Sequence, residues 1–278
     1  MPTLKEIEEN IETVSTIKNI VQAYQEIANL RMNSIREKVF KNRKFFVELS
    51  KIYQTTKTAY LYSVKRGWTK KTTFLATKRK TAAVFLSANK FFYGPLIIEI
   101  QNKIQQYAKK KNFDLIIVGK VGKYLAKQNK IENVKYFKLD DEKPKSEDIK
   151  KIIDFVKNYQ EIIVFHGKYE TVLSQTAIIS KISGGLTPAK KSGSVKTYLF
   201  EPSAKEVLKF FEREIIATLF NQTLLEHELA RYASRMIAMY QATENAKNSK
   251  RKLLIVKDKL KKQITNKEQI ELFGSIKL

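Results

Sequence analysis

Cysteine is absent from the 278 residues, so no disulfide, thiolate metal site or cysteine nucleophile is available. Histidine occurs twice, at His166 and His227. Neither has a second His or a Cys at ligand spacing, so no metal site is expected. Trp68 is the only tryptophan. No run of 18 or more apolar residues exists, which excludes a membrane-crossing helix of ordinary length. Met1 to Asn10 is acidic and polar, unlike a secretory leader, and points to a cytoplasmic protein. No GxGxxG fingerprint is present. Acidic residues are few, 28 against 53 Lys and Arg, giving a formal charge of +25. So large a charge of one sign calls for acidic partners: nucleic acid, lipid or acidic protein.

Glycine and proline are missing over two long stretches, and both are helical by pattern. From Thr3 to Arg66, the residues Leu4, Ile7, Ile11, Val14, Ile17, Val21, Tyr24, Ala28, Met32, Ile35 and Val39 step by three or four. This narrow apolar stripe suits a coiled-coil seam. Glu8, Glu12, Glu26, Lys38 and Lys41 belong to the solvated face. From Ser203 to Phe273, between Pro202 and Gly274, the same period runs through Val207, Phe211, Ile215, Leu219, Leu225, Leu229, Tyr232, Met236 and Tyr240. Such a helix is on the order of 100 Å long. The two stripes cover each other if the helices pair as an antiparallel coiled coil.

The middle of the chain alternates strands with helices. Thr81–Ser87, Phe113–Val118, Val134–Leu139, Glu161–Phe165, Thr171–Ile182 and Val195–Glu201 read as strands, with His166-Gly167 ending the fourth. Pro95–Lys111, Lys120–Gln128 and a segment capped by Ser146 read as helices. Alternation of this kind implies a mostly parallel sheet. The predicted fold class is α/β: a Rossmann-like α/β domain inserted between long N- and C-terminal helices that form an antiparallel coiled coil. The expected divisions are 1–70, 80–202 and 203–278. Lys65–Lys80 is a basic connector and Gly184–Ser194 a loop.

Chemistry-bearing motifs are sparse. Gly119-Lys120-Val121-Gly122-Lys123 follows a strand, but a P-loop needs four residues between its glycines and Ser or Thr after the Lys, where Tyr124 stands. A tight strand-to-helix turn is the reading. Asp140-Asp141-Glu142 reads as an exposed turn, and His227, between Glu226 and Glu228, as solvated or interfacial. Asn221-Gln222-Thr223 is a chance glycosylation match. No catalytic triad or acid/base pair is found, and the chain reads as non-catalytic with no cofactor. One basic cluster stands out: Lys247, Lys250, Arg251, Lys252, Lys257, Lys259, Lys261 and Lys262, against Asp258 alone.

Ala233–Asn245, ASRMIAMYQATEN, resembles the helical signature of the gamma subunit of F-type ATP synthases, with Arg235, Met236, Ala238, Met239, Ala242, Thr243 and Asn245 in place. Ile11, Val14, Ile20, Ala23, Ile27, Ala28 and Met32 match the family's N-terminal helix without a gap. Ile163-Val164, Ser174-Gln175, Tyr198–Pro202 and the ending Glu268, Glu271, Leu272, Gly274 follow in order. The sequence departs from the family at Asn89–Leu96, at Leu260–Gln263 and at Asn19.

The resemblance implies a central-stalk rotor with a peripheral location on the inner face of the cell membrane. Its implied partners are a hexameric ring of catalytic and non-catalytic subunits, a small central-stalk subunit and a membrane rotor ring, with no nucleic acid. Implied ring contacts are Met236, Met239, Lys250, Lys252, Lys261, Lys262, Ile270 and Phe273. Implied foot contacts are Tyr198, Phe200 and Glu201. Two alternatives stand beside this reading: a similar shaft in an F-type-derived ATPase driving motility, and, more distantly, a basic nucleic-acid-binding protein.

Overall fold

A computed structural model describes residues 2–65, 78–109, 111–129, 131, 134–182 and 204–275. The chain divides into two units, residues 1–30 with 235–278, and residues 31–234. Helix α1, Leu4–Lys65, and helix α5, Ala204–Ser275, each contribute to both.

The first unit is a helix pair. Thr3 caps α1 through a reciprocal bond with Glu6: Thr3 N–H donates to the Glu6 carboxylate at 2.8 Å, and Glu6 N–H donates to Thr3 Oγ1 at 3.3 Å. Ile7 and Ala28 of α1, and Met239, Thr243 and Ala246 of α5, are buried. The small side chains of Ala28 and Ala246 permit close helix approach. Lys257 Nζ meets Glu8 Oε1 at 2.8 Å, fixing the register near the start of α1. Beyond that point α5 continues from Lys261 to Ser275, roughly 20 Å of helix. Every described side chain from Lys261 to Phe273 is exposed. Ile17 and Tyr24, expected in the seam, are exposed at 51% and 44%. The 3.6-residue repeat drifts relative to a 3.5-residue seam, which carries such positions off the contact line.

The second unit holds the sheet. Its strands are β1 (Lys78–Leu86), β2 (Asp114–Val118), β3 (Lys135–Phe137), β4 (Tyr159–Tyr169) and β5 (Gln175–Lys181), in the order β3-β2-β1-β4-β5. β1 pairs in parallel with β2 and β4, and β2 with β3; β5 is antiparallel to β4. The connecting helices are α2 (Leu96–Ala108), α3 (Lys120–Gln128) and α4 (Ser146–Val156). The period-two alternation of β1 sorts the core. Ala83 and Phe85 face Leu96, Ile100 and Ile104 of α2 and Val121 of α3. Ala82, Val84 and Leu86 face Ile152 and Val156 of α4 and Phe220 of α5. Near-continuous apolar strands such as Leu115–Val118 are what burial on both faces demands.

Within this unit α1 and α5 run antiparallel. Asn42 donates to Gln222 and Arg43 to Glu226, both at 2.8 Å, and Leu49 and Tyr53 pack with Ile215.

Three local expectations are corrected. β4 does not stop at His166-Gly167 but runs to Tyr169, because those residues pair with Ile178 and Ala177 of β5. β5 starts at Gln175, since Thr171–Ser174 form the turn, closed by Ser174 N–H to Thr171 Oγ1 at 3.0 Å. Ser146 is the first helical residue of α4, preceded by an extended Lys145 with no side-chain cap; Glu147 and Asp148 remain in the favourable first turn. The strand expected at Val195–Glu201 and the loop at Gly184–Ser194 lie outside the described residues, as do residues 66–77 of the basic connector.

Candidate functional site: a buried polar clamp on helix α5

In an open parallel sheet, ligand chemistry gathers at the carboxyl ends of the strands. Here the β1–α2 loop fills that position. Gly119 has φ +108°, and a Cβ there would sit 2.9 Å from Ala88 backbone atoms, so only glycine makes the turn into α3. The first-turn N–H groups of α3 would suit an anion, but the chain takes them itself. Lys120 N–H donates to Asn89 Oδ1 at 3.1 Å, Val121 N–H to Ala88 O at 2.8 Å, and Gly122 N–H to Ser87 Oγ at 2.6 Å. The near-match to a phosphate loop is a self-capped strand-to-helix turn.

From the opposite side, α5 presents His227, Arg231 and Ser234 to the same loop. Gly167 N–H donates to His227 Nδ1 at 3.0 Å. The proton therefore sits on Nε2, which donates to Ser87 O at 3.1 Å. Burial, then the positive charge of Arg231, holds the His227 pKa well below the usual histidine value. Arg231 Nη1 donates to Asp141 Oδ1 at 2.7 Å and to Ser87 O at 3.3 Å. The guanidinium lies 5.2 Å from the Tyr93 ring centroid. Burial opposes the Arg231 charge, but Asp141, Tyr93 and Glu228 together outweigh it and the pKa rises. Ser234 Oγ donates to Tyr93 O at 2.7 Å.

Asp141 is the second centre. Its Oδ2 accepts the Asn89 N–H at 2.8 Å and the Lys90 N–H at 3.2 Å. Asn89 Nδ2 donates to Leu139 O. The Arg231–Asp141 pair is only 7% and 6% exposed. A cavity of about 250 Å³ opens beside it, walled by Leu86, Leu139, Ile149 and Leu224 and carrying Glu228. Burial raises the Glu228 pKa.

Two expectations are overturned here. Asp141 is not part of an exposed turn: Asp140 and Glu142 are exposed, but the residue between them turns inward to Arg231. Of the two positions expected for His227, the solvated one is excluded: it is 2% exposed at the junction of its helix with the sheet. Sequence reasoning missed the clamp. The available signal was the placement of His227, Arg231 and Ser234 at i, i+4 and i+7, on a face shared with apolar Ala230.

The remaining candidate residues fall elsewhere. Met236 is half-buried and Met239 is 6% exposed within the helix-pair unit. Lys250 is half-buried, and Lys252, Lys261 and Lys262 are exposed. Ile270 and Phe273 are 71% and 73% exposed. Tyr198, Phe200 and Glu201 lie outside the described residues. Among the described residues, no group of His, Asp and Glu is placed to hold a metal ion, and no helix is long and apolar enough to cross a membrane.

Comparison with known proteins decides the family. The sequence model described as ATP synthase matches residues 3–277. The chain belongs to the ATP synthase gamma family. It is similar to the ATP synthase gamma chain of Cytophaga hutchinsonii, at 24% identity over 99% of this chain and 98% of that one. It is likewise similar to the gamma chain of Rickettsia canadensis, at 25% identity over 99% and 98%. Among solved structures, it resembles a chain in the central stalk and c-ring structure of Tetrahymena thermophila mitochondrial ATP synthase, with a TM-score of 0.58 at 15% identity over 80% of this chain and 99% of that one. The rotor of Euglena gracilis mitochondrial ATP synthase gives 0.52 at 16% identity, over 84% and 98%. At these identities the structural likeness establishes the fold. Family membership makes this a gamma-type, central-stalk subunit of an F-type ATP synthase.

Proposed function

We propose that the chain is the non-catalytic rotating shaft of an F-type ATP synthase or ATPase, peripheral on the inner face of the cell membrane. The observation that carries this is the end of α5. From Lys261 to Phe273 the helix is exposed on every side, and Ile264, Ile270, Leu272 and Phe273 are among its exposed residues. Exposed apolar side chains gathered toward the end of a helix call for an apolar surface to cover them. The central channel of a ring of catalytic and non-catalytic subunits supplies one.

The Lys250, Lys252, Lys261 and Lys262 side chains would meet acidic loops of the catalytic subunits, with Met236 and Met239 in the seam below. Contacts of this type are long-range and weakly directional, as a turning surface requires. Turning an asymmetric shaft presses each catalytic subunit differently and changes its nucleotide affinity in sequence. Tyr198, Phe200 and Glu201 would belong to the foot, toward the membrane ring and the small stalk subunit. The relatives lend no support to a nucleic-acid-binding or motility reading.

Reconstitution tests the proposal. The chain is mixed with the purified ring subunits, and complex formation and ATP hydrolysis are measured. Incorporation at one copy per ring with stimulated hydrolysis is expected. A chain that stays outside the ring overturns the reading.

A further inference from the structure

We infer that His227, Arg231 and Ser234 key α5 to the sheet and are positioning residues that transmit torque between the α/β unit and the shaft helix. The inference rests on the shaft reading above. Apolar packing opposes rotation of a helix about its own axis only through the interlocking of its side chains, which can shift to neighbouring rotamers. Hydrogen bonds weaken steeply as their angle departs from linear, so a ladder of them resists such rotation.

The three residues lie on one face of α5, and each reaches a different part of the sheet. His227 is bonded to Gly167 within β4 and to Ser87 after β1. Arg231 reaches Ser87 and, in the segment after β3, Asp141. Ser234 reaches Tyr93 near the far end of the β1–α2 loop. The anchors are rigid. All but one are backbone groups, and the exception, Asp141, is itself pinned by two backbone N–H groups. The Arg43–Glu226 pair between α1 and α5 lacks that stiffness, since it joins two side chains and its Arg43 end is half exposed.

The test uses the assembled complex with the ring immobilised and a magnetic bead on the foot. The chain has no cysteine, so Leu173→Cys on the exposed β4–β5 turn gives a unique attachment point. The variant carries Asp141→Leu, Arg231→Met and Ser234→Ala. Replacing both members of a buried ion pair by apolar residues of similar volume is often neutral for stability. Torsional stiffness between ring and foot is expected to fall at least twofold. Unloaded ATP hydrolysis should be unchanged, and the free chain should still melt cooperatively. Asp141→Asn with Arg231→Gln keeps hydrogen bonding without charge and is expected to restore part of the stiffness; it decides the question where the first variant melts early. Stiffness equal to the parent in a folded variant overturns the inference and leaves the shaft reading standing. Failure of the parent chain to join the ring overturns both.

Discussion

His227 takes the Gly167 N–H on Nδ1 at 3.0 Å and therefore carries its proton on Nε2, toward the carbonyl of Ser87. Both ring nitrogens are committed to backbone partners of opposite kind. A second proton would break the bond to Gly167 and place a cation beside Arg231.

That commitment makes folding pH-dependent. Burial and Arg231 depress the folded-state pKa of His227 well below 6.5, and burial lowers that of His166 as well. Below about pH 6.5 the unfolded chain binds protons that the folded chain refuses. Stability is therefore full above that value and declines as the pH falls, by at most about 1.4 kcal/mol per pH unit for each histidine. Melting curves of the full chain from pH 7.5 to 5 should show the decline, and His227→Gln should make it shallower while the His166 share remains.

Removing one member of the Arg231–Asp141 pair should cost more than removing both. Arg231→Ala leaves a buried carboxylate without its cation, a loss of about 3–5 kcal/mol. Asp141→Leu with Arg231→Met should recover most of it. Chemical denaturation of the single and double variants checks the order; a single variant as stable as the double one contradicts it.

Gly119→Ala should destabilise the second unit by about 2 kcal/mol or more, through a positive φ and collision with the Ala88 backbone. Gly122→Ala acts differently, pushing against Ser87 and Ile117 side chains, and should loosen the Ser87 cap of α3. Hydrogen exchange at Lys120–Lys123 separates the two effects, since loosening of the cap shows there first.

How much of this was legible in the sequence depends on range. Helices α1 and α5 were readable because their apolar period persists for dozens of residues without Gly or Pro, and α3 was read at its full extent, Lys120–Gln128. β4 looks short in the sequence because His166-Gly167 resembles a strand end, and only the pairing with β5 carries the strand onward. The burial of Asp141 and of His227 is hidden for a related reason. Their partners lie 90 and 140 residues away, at Arg231 and Ser87, and nothing within a local window shows them. The acidic triplet behaves locally as expected, with Asp140 accepting the N–H groups of Glu142 and Lys143, while its middle member answers to a distant helix.

Reversing the basic face should weaken ring assembly in a salt-dependent way. Lys250, Lys252, Lys261 and Lys262 all changed to Glu should reduce affinity for the ring by at least tenfold at low salt, with a smaller difference at 0.5 M salt, where the screening length is only about 4–5 Å. Co-sedimentation with the ring at both concentrations measures it. An equal loss at both salts points to lost packing instead.

Ile270→Ser with Phe273→Ser should leave the melting temperature of the free chain within a degree or two, because both side chains are already exposed. Binding to the ring should weaken. A melting temperature that drops as well contradicts the exposure of this segment.

The clamp also sets an order of events in synthesis. Arg231 bonds to Ser87 across 144 residues, so the loop that closes the sheet's carboxyl edge waits for a helix made almost last. Strands β1 to β4 emerge from the ribosome with Asp141 and Ser87 still lacking their partners. Contacts of such sequence separation form slowly, and unfinished sheets are prone to misassociation. A nascent chain arrested before residue 227 should therefore be trapped by chaperones or degraded, whereas one that has passed residue 234 has everything it needs to close.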